Sequence, residues 1–168
     1  MSVVRLRAVV AVDLPILDRE RDGLEFFGFT ATNQAQRRFD TDGMISDTLG
    51  ALVVESEEGE FLGSVSWFAV QHGPSVTARA FNIGISLLPA HRGRGYGSAA
   101  QALFAAYLFE NTLIERLEAS TDIDNRAEQK ALVKAGFSLE GTLRHAQWRA
   151  GGWRDLVLYS RLRGDPYP

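Results

Sequence analysis

Cysteine is missing from the chain altogether, which removes disulfide scaffolds, thiolate–zinc sites and a cysteine nucleophile from consideration. Histidine is scarce. His72, His91 and His145 are scattered, without the HExxH-type spacing of a metal site, so no metal is expected. Lysine is scarcer still, confined to Lys130 and Lys134. Apolar runs stay well short of the roughly 20 residues that cross a bilayer, so no membrane partner is expected. Val3–Val12 is interrupted by Arg5 and Arg7, which suits a strand better than a secretion signal and makes the cytoplasm the expected location. A formal charge of −3 provides no basic field for nucleic acid.

What is present is ordinary globular composition, 45% hydrophobic and 23% charged, and 168 residues suit one domain spanning 1–168. Val3–Val10 reads as a strand, and Asp13 as the cap of a first helix. Residues 22–50 look irregular, with one or two short helices. Ala51–Glu55 and Phe61–Phe68 form a hairpin across Glu57-Glu58-Gly59-Glu60, and Ala78–Leu88 reads as another strand. A glycine-rich turn, His91–Gly97, leads into an apolar helix from about Ser98 to Glu110. A short strand follows at Leu117–Thr121, then a helix from Asn125 to Gly136, and a last hairpin over Leu139–Arg149 and Trp153–Leu162. The order predicts a mixed α/β sheet.

The segment Ile83–Leu88, Pro89-Ala90-His91-Arg92-Gly93-Arg94-Gly95-Tyr96-Gly97 and the following helix carries the chemistry. A strand that bends sharply into a helix leaves backbone amides unpaired at the positive end of the helix dipole, and such amides hold anions. Glycines let that backbone approach an oxyanion, and Arg92 and Arg94 add charge. A phosphate or pyrophosphate is the expected guest, against the alternative of a plain glycine-rich turn. A P-loop would need Gly-Lys-Ser/Thr where Gly95-Tyr96-Gly97-Ser98 stands, and Gly93-x-Gly95-x-Gly97 is not the Rossmann G-x-G-x-x-G.

Arg92-x-x-Gly95-x-Gly97 matches the R/Q-x-x-G-x-G/A loop of the GNAT family of acyl-CoA N-acyltransferases. The chain resembles the RimJ/RimL-type branch nearly end to end: Ile83-Gly84, Asn125, Ala135-Gly136-Phe137, Glu140-Gly141-Thr142-Leu143-Arg144 and Asp155-Leu156-Val157-Leu158-Tyr159-Ser160. The resemblance implies a GNAT fold, a mixed and mostly antiparallel sheet of about seven strands with flanking helices and a splayed central pair. It implies acetyl-CoA as co-substrate and direct transfer of its acetyl group to a primary amine: a protein N-terminus, an amino acid or a small amine. A non-catalytic acyl-CoA-binding module is the alternative. Pairing into homodimers is common among related enzymes.

By the same resemblance Leu87 and Leu88 border the pantetheine wedge, and Arg92, Gly93, Arg94, Gly95, Tyr96, Gly97 and Ser98 wrap the pyrophosphate. Asn125 reaches the pantetheine or thiol region, caps a helix, or does both. Three positions depart from the pattern. Asn82 stands where many relatives carry a basic glutamate, Glu128 where many carry a serine, and Leu132 where other branches carry a tyrosine acid. Glu128 is then an unusual base or an ordinary surface glutamate, and Tyr159 a proton donor or a core aromatic. Glu118 and Asp122 are further candidates for a water-linked base, with Asp124 shaping the helix start; His72 and His145 fall in loop or hairpin regions near where an acceptor could enter, and read as surface histidines. Aromatic walls for the acceptor would come from Phe26–Phe39, Trp67, Phe68, Trp148 and Trp153, with core packing as the alternative. Asp40, Asp42 and Asp47 could attract a cationic amine.

Overall fold

The computed structural model describes residues 3–18 and 33–166. Strands β1 (Val4–Ala8), β2 (Leu49–Ser56), β3 (Phe61–Gln71), β4 (Arg79–Leu87), β5 (Arg116–Asp122), β6 (Ser138–Arg149) and β7 (Gly152–Leu162) form one sheet, ordered β1-β2-β3-β4-β5-β7-β6. Every neighbouring pair is antiparallel except β4–β5. Among the described residues the α-helices are α1 (Leu14–Leu17), α2 (Gln34–Asp42), α3 (Tyr96–Asn111) and α4 (Arg126–Lys134).

Period-two alternation assigns each strand residue to a layer. Leu52 and Val54 of β2 join Val65 and Trp67 of β3, Phe81 and Ile83 of β4, and Leu117 and Ala119 of β5 in the main apolar cluster, beneath Phe104 and Leu108 of α3. The intervening Ala51 and Val53 pack with Val9, Leu14 and Ala35 on the opposite face. Helix α3 buries Ala100, Gln101, Phe104, Ala105 and Leu108, and its last turn is closed by side chains: Asn111 Nδ2 donates to Tyr107 O and Thr112 Oγ1 to Leu108 O.

Two local expectations change. Strand β3 continues to Gln71 because Ala69, Val70 and Gln71 pair with Phe81, Ala80 and Arg79. Asp13 does not cap a helix with its side chain. Its carboxylate takes both terminal nitrogens of Arg7 (2.7 and 2.9 Å) and the Val10 amide, and Arg7 holds it below the usual carboxylate range.

The feature that positions a site is the central parallel pair. Phe81 pairs with Leu117 and Asn82 with Glu118, and the ladder stops there, although β4 runs on to Leu87 and β5 to Asp122. The strands part above Asn82 and leave a wedge through the middle of the sheet.

Candidate functional site

The wedge opens towards the bend that joins β4 to α3. Gly93 (φ +73°) and Gly95 (φ +84°) take left-handed backbone that L side chains rarely adopt, and Gly95 is the N-cap of α3. The first helical bond is donated by the Ala99 amide to Gly95 O at 3.2 Å, so the amides of Gly95, Tyr96, Gly97 and Ser98 precede the ladder. Gly97 is in ordinary helical backbone. A Cβ there would meet Leu87 Cδ1 at 3.8 Å and Ala131 Cβ at 3.9 Å, which is normal contact.

A groove of about 470 Å³ runs along this bend. Ile85, Ser86 and Leu87 of β4 form one wall. Arg92, Gly93, Gly95, Gly97 and Ser98 form the end, and α4 forms the other wall through Asn125, Ala127, Glu128, Lys130, Ala131 and Lys134, with Arg149 beside them. Of the residues singled out by sequence, the groove gathers Leu87, Arg92, Gly93, Gly95, Gly97, Ser98, Asn125 and Glu128. Leu88, Arg94 and Tyr96 are not in its lining. Leu88 opens the short turn Pro89–His91 and donates its amide to Leu62 O. Arg94 is exposed, and Tyr96 packs edge-on to His91 at 6.4 Å between ring centroids. Tyr159 does not line the groove either: it is 4% exposed within the main apolar cluster, the packing that the alternative of a core aromatic describes.

Asn125 caps α4, its Oδ1 accepting from the Glu128 amide at 3.3 Å while its Nδ2 donates to Thr121 Oγ1 at 3.1 Å. Capping leaves it in the groove lining. Glu128 is partly buried in the groove lining. Burial in the α3–α4 wall pushes its carboxyl up to about 7, and a hydrogen bond with the Gln101 side chain only partly offsets this. Gln101, 2% exposed, also donates Nε2 to Gly97 O at 3.2 Å, tying that carboxyl to the bend. Sequence reasoning missed Gln101, Lys130, Lys134 and Arg149. The chain's two lysines stand four apart on α4, so both fall on one helix face, and that spacing was a readable signal.

Several other candidates are occupied elsewhere. Asp122 is fully buried and bound by Arg154 (2.8 and 3.0 Å) and by the Asp124 amide, which holds it below the usual carboxylate range. Leu132 is core. Trp67 is 4% exposed against Phe81 and Phe104, whereas Phe68 is 49% exposed on the other face of β3. Trp148 and Trp153 stack edge to face at 5.8 Å near the tip of the β6–β7 hairpin. Phe26, Phe27 and Phe29 lie outside the described residues. Asp47 lines a different hollow, near the C-terminal end of α3. His145 sits at a bulge with φ +48°, its amide donating to Asp155 Oδ1.

Glu118 is buried at the point where the strands part. Its Oε1 accepts from Arg116 Nε at 2.7 Å and from His72 Nε2 at 2.5 Å. Arg116 also holds Glu140, whose Oε1 accepts from Ser160 Oγ at 2.6 Å, and these two contacts lower the Glu140 carboxyl to about 2. Among the described residues no group of acidic or histidine side chains is arranged to hold a metal ion.

The family model described as "Acetyltransferase (GNAT) domain" matches residues 4–138. "Probable N-acetyltransferase YjcK" of Bacillus subtilis (strain 168) is 31% identical over 113 residues, covering 67% of this chain and 61% of that protein. "Ribosomal-protein-serine acetyltransferase" of Escherichia coli (strain K12) is 24% identical over 106 residues, 63% and 57% of the two chains. The chain thus spans about three fifths of the length of the curated relatives it matches. Among solved structures, spermidine N-acetyltransferase from Vibrio cholerae in complex with CoA and spermine superposes with a TM-score of 0.77 at 16% identity, over 96% of both chains. Mycobacterium smegmatis RimJ in complex with CoA-disulfide gives 0.75 at 23%, over 96% of this chain and 82% of that one.

Proposed function

The chain belongs to the acetyltransferase (GNAT) domain family, and from that premise we propose that it transfers the acetyl group of acetyl-CoA directly to a primary amine. One observation carries the reading. The β4–β5 ladder ends at Asn82–Glu118, and the resulting wedge leads into a groove that ends on the glycine-capped N-terminus of α3.

The groove supplies what each part of the coenzyme needs. Amides of Gly95–Ser98 and the positive end of the α3 dipole suit the diphosphate, and Arg92, Lys130, Lys134 and Arg149 add cationic side chains for the phosphates. The backbone of Ile85–Leu87, facing the wedge, suits the amide-bearing pantetheine arm. Asn125 and Glu128 stand further along α4, where the arm runs towards the parting of the strands.

In the reaction the amine nitrogen attacks the thioester carbonyl and the C–S bond breaks, its electron pair going to sulphur. Backbone amides of the wedge polarise the carbonyl. Glu128, with a carboxyl near 7, protonates the departing sulphur. This role requires the protonated acid, so its contribution is present below about pH 7 and fades above it.

The acceptor enters from the face of the sheet opposite α3. Phe68 offers an exposed ring there, and the partly exposed carboxylate of Glu140 suits an ammonium group. Both a peptide N-terminus and a polyamine fit that chemistry; the name of the Escherichia coli protein specifies a ribosomal-protein serine and that of the Vibrio protein spermidine. The reading treats residues 1–168 as one domain working in the cytoplasm.

An acceptor screen tests the proposal. Thiol release is followed with acetyl-CoA and N-terminal peptides, amino acids, polyamines or aminoglycosides. At least one primary amine is expected to be acetylated. Binding of acetyl-CoA without turnover of any amine would favour a binding module instead.

A further inference from the structure

Asn82, where β4 last pairs with β5, carries an amide, which cannot take a proton. The structure puts a carboxylate directly beside it. Asn82 and Glu118 are the last paired residues before β4 and β5 separate. Since Phe81, Ile83, Leu117 and Ala119 belong to the cluster beneath α3, alternation sends Asn82 and Glu118 to the opposite, acceptor-side face. Glu118 does not work alone on that face. His72, just past the end of β3 and anchored by its amide to Ala78 O, brings Nε2 to 2.5 Å from Glu118 Oε1.

Their exposures divide the roles. The Glu118 side chain is 6% exposed and already satisfied by Arg116, whereas that of His72 is 53% exposed. An ionised carboxylate only accepts hydrogen bonds, so it keeps the imidazole proton on Nε2 and leaves the lone pair on Nδ1. A carboxylate that orients a histidine and fixes its tautomer is the arrangement used for general bases on unrelated folds. The charged groups around His72 are Glu118 and Arg116 on β5 and Glu140 on β6, which senses the imidazole through space. Position along the sheet also fits. Leu87, at the groove, is five residues from Asn82, about 16 Å at the usual strand rise, so an extended arm from the bend ends near the pair.

We propose that His72 is the general base for the acceptor amine and that Glu118 is its positioning residue. The proposal rests on the acetyl-transfer reading and completes its proton balance. His72 Nδ1 takes one proton from the ammonium. The neutral nitrogen attacks, the N–C bond forms, and the C–S bond breaks with its electron pair on sulphur. Sulphur takes the second nitrogen proton, through Glu128, and His72 releases the first to solvent.

The test uses the full chain with acetyl-CoA and two probes, a peptide with N-terminal serine and spermine. His72→Gln is expected to lower kcat about 100-fold, within the range for loss of a general base. It should also remove the acidic limb of the pH–rate profile while KM for acetyl-CoA and Tm stay at wild-type values. Glu118→Gln should lower kcat about tenfold and displace that limb. Added imidazole should restore part of the rate to His72→Ala, and His145→Gln should behave as wild type. An unchanged kcat and pH profile in His72→Gln overturns the proposal, as does a loss explained by a lower Tm or weaker acetyl-CoA binding. Failure of the wild-type protein to acetylate any amine overturns the parent reading, and this one with it.

Discussion

The two ends of the wedge are built on different principles. At the α3 end the site is made of backbone: left-handed glycines at 93 and 95, amides ahead of the first helical bond, and a groove wall of strand residues. At the Asn82–Glu118 end it is made of side chains drawn from β5, β6, β7 and the end of β3, namely His72, Glu118, Arg116, Glu140 and Ser160. A backbone site admits few residue types at each position, because φ itself restricts them. A side-chain site can move a carboxylate to a neighbouring strand and keep its place in space. The first therefore constrains the coenzyme, and the second is where acceptor chemistry can vary.

Substitutions graded by effect separate the two ends. Gly95→Glu should be the most severe. A left-handed backbone angle and a carboxylate among the helix amides should weaken acetyl-CoA binding more than about 100-fold, read by calorimetry, with circular dichroism checking that the fold persists. Glu128→Gln should act on both activity and stability. A carboxyl raised from 4.5 to about 7 favours the fold most below its unfolded value, and that contribution is lost as pH rises through 7. The amide variant should therefore be more stable than wild type at pH 8, by up to about 3 kcal/mol from the size of the shift, and nearly equal to it at pH 4. Its kcat should lose the fall above pH 7. Thermal melts and pH–rate profiles read both. Asn125→Ala removes the α4 cap and should cost about 1 kcal/mol of stability, with a few-fold loss of acetyl-CoA affinity. Gly97→Ala should be nearly silent, within about 0.5 kcal/mol and twofold in affinity, because the added methyl meets only ordinary contacts. A severe Gly97→Ala and a mild Gly95→Glu would invert the comparison.

The same division explains which features a sequence alone conveys. The strand, bend and helix over residues 83–110 were legible because glycines between two apolar segments mark a turn that other residues rarely make, and α3 begins at Tyr96, two residues ahead of the expected start. The mixed sheet was legible from alternation and from turns such as Ala150-Gly151-Gly152. The surroundings of Glu128 were not. Whether a first-turn glutamate meets water or a neighbouring helix depends on where α3 lies, and Gln101, which holds it, is 27 residues away. Trp67 and Phe68 show the same limit. Adjacent aromatics on one strand fall on opposite faces, one core and one exposed, and only the register against β4 decides which. His72 and Glu118 are 46 residues apart in the chain and meet across β4, beyond the reach of any local pattern.

The central claim is that the β4–α3 bend receives the diphosphate of acetyl-CoA. Calorimetric titration of acetyl-CoA into the wild-type protein and into folded Gly95→Glu, with ATP as the competing nucleotide, tests it most directly. The account predicts one acetyl-CoA per chain for the wild type, no matching affinity for ATP, and loss of binding in the variant. Equal acetyl-CoA affinity in the two proteins would contradict it.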